Sequence, residues 1–162
     1  MDRYGQPLGP VQGVGYVNEL LARLTGLPVN DSTQTNRTLD SSPATFPLNR
    51  TLYADFSHDN QMIAIYAAMG IMRPTTAPDP TRPDPHRSWL ASHLVPFSAR
   101  LVTEKLSCKD RGVGVRMLID DAAVPLSVCG AGRDGICSLD AFVESQSYAR
   151  NNGEGDWEKC FS

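Results

Sequence analysis

Apolar residues fall at two different periods along this chain, and the period separates helices from strands. Val17, Leu20, Leu21 and Leu24 recur at i, i+3, i+4 and i+7, which predicts a helix over about 12–25 with one apolar stripe. Gly26 stops it and Pro28 prevents continuation. Met62, Ile65, Tyr66 and Met69 make a second helical stripe that ends near Gly70. Leu139, Phe142 and Val143 mark a third helix over about 139–149, with Ser138 as N-cap and Asp140 in its first turn. The two-residue period appears at 96–106, where Phe97, Ala99, Leu101 and Thr103 alternate with Ser98, Arg100, Val102 and Glu104. It returns at 113–119, with Val113, Val115, Met117 and Ile119 on one face. Asp120 and Asp121 make a turn into 122–126, a hairpin. A short run rich in strand formers, Thr51 to Phe56, predicts a buried strand between the first two helices.

Polar and breaker segments separate these elements. Residues 28–50 are rich in Ser, Thr, Asn and Pro and form a surface loop. Residues 73–88 form another, since Pro74, Pro78, Pro80, Pro83 and Pro85 fix φ and remove backbone donors. Gly153 and Gly155 loosen the tail before Trp157, itself read as a packing residue. Arg100 and Arg116 are strand-face charges, and Asp79, Asp84, Asp120 and Asp121 are turn or loop carboxylates. The order helix, strand, helix, strand implies an α/β fold. One strand plus a hairpin is a thin sheet, so the 162 residues are expected to be a single partial domain with an incomplete sheet.

Composition narrows the class. Apolar residues make up 41% and charged residues 20%, which excludes a disordered chain. Lys and Arg number 15 against 18 Asp and Glu, without a basic block, so neither nucleic acid nor an anionic membrane is an expected partner. No apolar run approaches the roughly 20 residues of a membrane span. The start, MDRYGQPLGP, lacks the pattern of a signal peptide. Three sequons nevertheless cluster here, at Asn30, Asn36 and Asn49. With Cys108, Cys129, Cys137 and Cys160 they suit an extracellular, secreted glycoprotein. The expectation is that an N-terminal part, signal peptide included, is missing from the sequence. Cys129 and Cys137 stand eight apart across Gly130, Gly132 and Gly135, flexible enough to close a small loop.

Ser57-His58-Asp59-Asn60 is the stretch with the most chemistry. It lies where the 51–56 strand should hand over to a helix, the place where open α/β sheets bind ligands. A helix start offers free N–H groups and partial positive charge, which suits phosphate. His58 can donate hydrogen bonds to phosphate oxygens there. Asp59 can give a proton to a leaving oxygen if its pKa is raised. The plainer alternative is that Asp59 caps the helix and His58 is an ordinary polar residue. The three histidines, His58, His86 and His93, make a weak metal site, and the cysteines lack the close pairs of a zinc site.

The longer runs carry a resemblance. Leu39 to Asn49 and Thr51 to Asn60 closely resemble the fungal phytases of the histidine acid phosphatase family. So do Gln12 to Tyr16, Asn18 to Leu20, Ala22 to Leu24, Val95 to Leu101, Val124 to Leu126 and Asp156 to Phe161. The resemblance covers nearly the whole chain except the Pro-rich loop. It implies the C-terminal part of the large α/β domain of that phosphoglycerate mutase-like fold. It implies hydrolysis of phosphate monoesters, with phytate as substrate, and no metal or organic cofactor. By resemblance His58 holds phosphate, Asp59 is the proton donor, and Asn60 is a weaker candidate beside them. The family's nucleophile lies in an Arg-His-Gly-x-Arg-x-Pro segment, and this sequence contains no Arg-His pair. The missing N-terminal part is therefore the implied partner. A general acid phosphatase, or an inactive secreted fragment, is the rival expectation. Resemblance also pairs Cys129 with Cys137 and gives Cys108 and Cys160 partners in the earlier part, the alternative being a bridge between those two.

Overall fold

A computed structural model describes residues 8–74, 76, 78, 79, 81–87, 89–132 and 134–162. Helix α1 spans Val14–Thr25, entered through a 3-10 turn at Pro10–Gly13. It ends where Gly26 turns left-handed at φ 75°, a conformation that costs a residue without Cβ little. A single turn, α2, covers Arg37–Asp40, and Asn36 caps it by accepting from the Thr38 and Leu39 N–H groups. Helix α3 spans Asp59–Met69 and stops at left-handed Gly70. After the Pro-rich loop comes one turn, α4, at Ala91–Leu94. Of that loop, residues 75, 77, 80 and 88 lie outside the described residues. Within it Asp79 accepts from Thr81 N–H, and Asp84 from His86 N–H, so both carboxylates close local turns.

The sheet is small and antiparallel. Strand β1, Leu101–Cys108, pairs along its length with β2, Gly112–Ile119. On the other side of β2 lie two short strands, β3 at Ala122–Ala123 and β4 at Cys137–Ser138. Asp120 and Asp121 both have positive φ, the geometry of a tight hairpin turn that Asp tolerates. Gly114 is required where β4 crosses, since a Cβ there would stand 2.6 Å from Ile136 Cγ2. Helices α5, Leu139–Ser145, and α6, Ser147–Arg150, follow β4. Ser138 caps α5 by accepting from Ala141 N–H.

Three expectations are corrected. The segment 51–56 is an extended coil with no ladder partner among the described residues, and Leu52 and Phe56 face water at 83% and 99% exposure. A strand needs neighbouring N–H and C=O groups, and all four strands of this sheet come from 101–138. The strand expected from 96 begins only at Leu101, because Ser98 takes φ 63° and 96–99 turn back on themselves. The last helix breaks at Gln146, whose buried side chain donates from Nε2 to Met69 O at 3.4 Å.

One apolar cluster joins these pieces. Val14, Val17, Leu21 and Leu24 of α1 meet Ile65, Tyr66 and Met69 of α3, Val115 and Met117 of β2, and Phe142 of α5. Trp157 packs against this cluster from the tail, and its ring meets Phe161 edge-on at 5.3 Å. Cys129 and Cys137 are joined by a disulfide, whereas Cys108, half-buried, and Cys160, exposed, are free thiols.

Candidate active site

The N-terminal half of α3 is set by a close approach. Gly13, at the end of the 3-10 turn, lies against the α3 backbone; a Cβ there would be 2.5 Å from Ala64 O. Gln61 Nε2 donates to Gln12 O at 2.7 Å and ties the first α3 turn down. No sequence period announces either contact, although Gln12 and Gly13 sit in a run that carries the resemblance and Gln61 directly follows another.

On this anchored turn stand the residues singled out from sequence. His58 is the N-cap, extended at φ −120° and ψ 162°, and its imidazole makes no capping hydrogen bond. Its carbonyl accepts from Met62 N–H at 3.0 Å, so the backbone already serves the helix while the ring stays uncommitted to it. Asp59 is the first helical residue, and its carboxylate accepts from Asn60 N–H at 2.7 Å. Asn60 in turn accepts from Gln61 N–H at 2.9 Å. A carboxylate in the first turn is favoured by the positive end of the helix dipole. All three side chains are exposed. His58 and Asp59 are thus brought together, but they follow a coil, not a strand.

The coil is held from α1. Arg23 forms a two-pronged ion pair with Asp55, one prong at 3.1 Å. Its guanidinium also lies over Phe46 at 4.9 Å and over Tyr53 at 5.0 Å. Cation and ring face attract, so one arginine fixes three residues of the 46–55 segment. Further up the loop, Asp31 is nearly buried and accepts from Asn18 Nδ2 at 2.7 Å and from Thr33 and Thr35. Burial alone would raise its pKa, but these donors outweigh it and hold the carboxyl below the ordinary range.

Two clefts, of about 350 and 400 Å³, flank the 28–41 loop, and Asn30 lines both. Neither is lined by His58, Asp59 or Asn60. Asn30, Asn36 and Asn49 are all exposed. Among the described residues no three His, Cys, Asp or Glu side chains gather to hold a metal ion, and no helix is long and apolar enough to cross a membrane.

Residues 2–120 match the histidine phosphatase superfamily (branch 2). The chain belongs to that superfamily. It is also similar over nearly its whole length to fungal proteins named Phytase A. That of Emericella nidulans is 49% identical over 164 residues, covering 98% of this chain and 34% of the relative. That of Aspergillus terreus is 46% identical over 173 residues, 99% of this chain and 36% of the relative. That of Aspergillus fumigatus is 48% identical over 162 residues, 98% and 34%. The chain spans about a third of the length of the curated relatives it matches.

Proposed function

We propose that this chain supplies the proton-donor half of a phosphate monoester hydrolase acting on phytate, in a secreted glycoprotein bearing glycans at Asn30, Asn36 and Asn49. The observation that carries it is the α3 start: an uncommitted His58 imidazole and an Asp59 carboxyl, adjacent and open to solvent. The similarity to Phytase A over 98% of the chain supports the substrate. The nucleophilic histidine comes from the remaining part of the protein. It attacks phosphorus, the ester P–O bond breaks, and the Asp59 carboxyl gives its proton to the departing alkoxide. Water then attacks the phosphohistidine, the P–N bond breaks, and the Asp59 carboxylate takes the proton from water. His58 hydrogen-bonds the phosphoryl oxygens throughout, and Asn60 steadies the turn.

The two roles separate by leaving group. General acid help is worth about 10²–10⁴-fold, so Asp59→Asn lowers kcat by about that much on an inositol phosphate. An aryl phosphate leaves as a stable phenolate and suffers less. His58→Ala weakens both substrates alike, since it removes a contact to the group they share. The measurement compares both variants on both substrates in a complete enzyme containing this chain. Equal slowing of aryl and alkyl esters by Asp59→Asn would reduce Asp59 to a helix-start residue.

A further inference from the structure

Among the described residues from 41 to 60 none is buried, so the apolar core does not hold the stretch that delivers His58 and Asp59. Two points beside His58 are fixed by polar contacts instead. Three residues after it, Gln61 ties the first α3 turn to Gln12 O. Three residues before it, Asp55 takes both prongs of the Arg23 guanidinium. Tyr53 and Asp55 stand two apart on an extended segment and both meet Arg23, while Leu52 and Phe56 face water. Tyr53 Oη also accepts from Arg50 N–H at 3.1 Å, so the ring beside the guanidinium is itself held. Arg23 stands in the last turn of α1 between buried Ala22 and Leu24, and its side chain is only 14% exposed. It is a peg set in the core, not a loose surface charge.

We infer that Arg23 is a positioning residue for the proposed reaction: it sets where His58 and Asp59 stand by fixing the chain three residues upstream of them. The inference rests on the roles given to those two side chains. With Asp55 and Gln61 both held, the five residues 56–60 bridge two fixed points, which narrows the backbone conformations open at the junction. With Asp55 released, the exposed stretch before α3 is held from one end only, and the imidazole and carboxyl wander together. Misplacement by about 1 Å is enough to cost about 10²-fold in rate. A cation alone does not replace Arg23. Its planar fork takes two carboxylate oxygens while its plane lies near the Phe46 and Tyr53 rings, and an ammonium offers one point charge.

The test uses Arg23→Met, Arg23→Lys and Asp55→Asn, each checked by its denaturation midpoint. In the 162-residue chain, NMR should show the amide signals of 55–60 displaced in all three, with those of α3 beyond Gln61 in place. In a complete enzyme, this chain fused to the preceding segment of a Phytase A relative, Arg23→Met should lower kcat/KM by about 10²-fold on an inositol phosphate. Arg23→Lys should lose most of that activity too. Asp55→Asn should repeat the pattern without touching a residue set in the core. In an Asp59→Asn background Arg23→Met should cost markedly less, because misplacing the acid and removing it are one loss counted twice. Full activity in Arg23→Met or Arg23→Lys, or a loss that multiplies undiminished with Asp59→Asn, would overturn the positioning role. If Asp59→Asn itself costs nothing on either ester, the proton-donor reading fails. Displaced 55–60 signals would then show only that Arg23 holds the segment, and its part in the reaction would fall with that reading.

Discussion

Asp31 and Tyr66 show opposite ways of burying a polar group. Asp31 is satisfied on every side: Asn18 Nδ2, which also donates to Ala149 O, and the Thr33 and Thr35 donors all converge on it. Removing the carboxylate leaves the buried Asn18 amide short of an acceptor, so Asp31→Ala is expected to cost about 2–3 kcal/mol by chemical denaturation. Its pKa is lower folded than unfolded. Its contribution is therefore fully present above the ordinary value of 3.8 and is lost as pH falls through the folded value. Acid unfolding of the parent should accordingly be steeper than that of Asp31→Asn below about pH 4. Tyr66 is the reverse case. Its side chain is fully buried, its hydroxyl has no hydrogen-bond partner among the described residues, and burial raises its pKa. Deleting that oxygen removes an unmet donor and leaves the ring packing alone. Tyr66→Phe is expected to be neutral or stabilising by up to about 1 kcal/mol in the same measurement. A clear loss of stability would mean that the hydroxyl is satisfied in solution.

Among the elements, those set by short-range rules were legible in sequence and those set by distant partners were not. The stripes of α1 and α3, their Gly26 and Gly70 stops and the Ser138 cap all depend on residues within four positions. Two-residue alternation marked the strands β1 and β2, and Asp120-Asp121 marked the turn from β2 into β3; the pairing of β1 with β2 is a finding of the structure. Residues 51–56 have the side chains of a strand, but a strand also needs a neighbour, and the sheet here is built entirely from 101–138. Gln146 breaks the last helix because its amide reaches Met69, 77 residues away in the chain. The irregular link from a 3-10 turn at Ser127–Cys129 to β4 is short-range again, and the Cys129–Cys137 disulfide closes it. With a sequence separation of 8, chain-entropy arguments give it about 2.5 kcal/mol. Replacing both cysteines by Ser should lower stability by no more than that, read from the denaturation midpoint. Non-reducing peptide mapping of oxidised protein should find this bridge and unpaired or mixed Cys108 and Cys160. A uniform Cys108–Cys160 bridge would show that the two thiols serve each other, not partners elsewhere.

At the scale of the whole molecule, the candidate site was legible as a dipeptide and illegible as a support. His58-Asp59 stands out because an imidazole and a carboxyl at a helix start suit phosphate chemistry. The parts that position it did not stand out, because they join residues far apart: Gly13 against Ala64, Gln61 to Gln12, and Arg23 to Phe46, Tyr53 and Asp55. The same supports hold the proposed half-site in place. Its first α3 turn is tied to the 3-10 turn by Gln61, and His58, Asp59 and Asn60 are exposed. Active sites are ordinarily concave, since exclusion of water strengthens the charges that act on substrate. Here His58 is exposed and lines neither cleft beside the 28–41 loop, and the sequence has no Arg-His pair to act as nucleophile. The 162-residue chain alone should therefore release no phosphate above background from phytate or an aryl phosphate at acidic pH. Adding the preceding segment of a Phytase A relative, co-expressed or fused, should give turnover that His58→Ala and Asp59→Asn then reduce. Phosphate release is the measurement, with each variant checked for folding by its helical signal. Turnover by the isolated chain that His58→Ala abolishes would mean that a nucleophile resides within these residues after all.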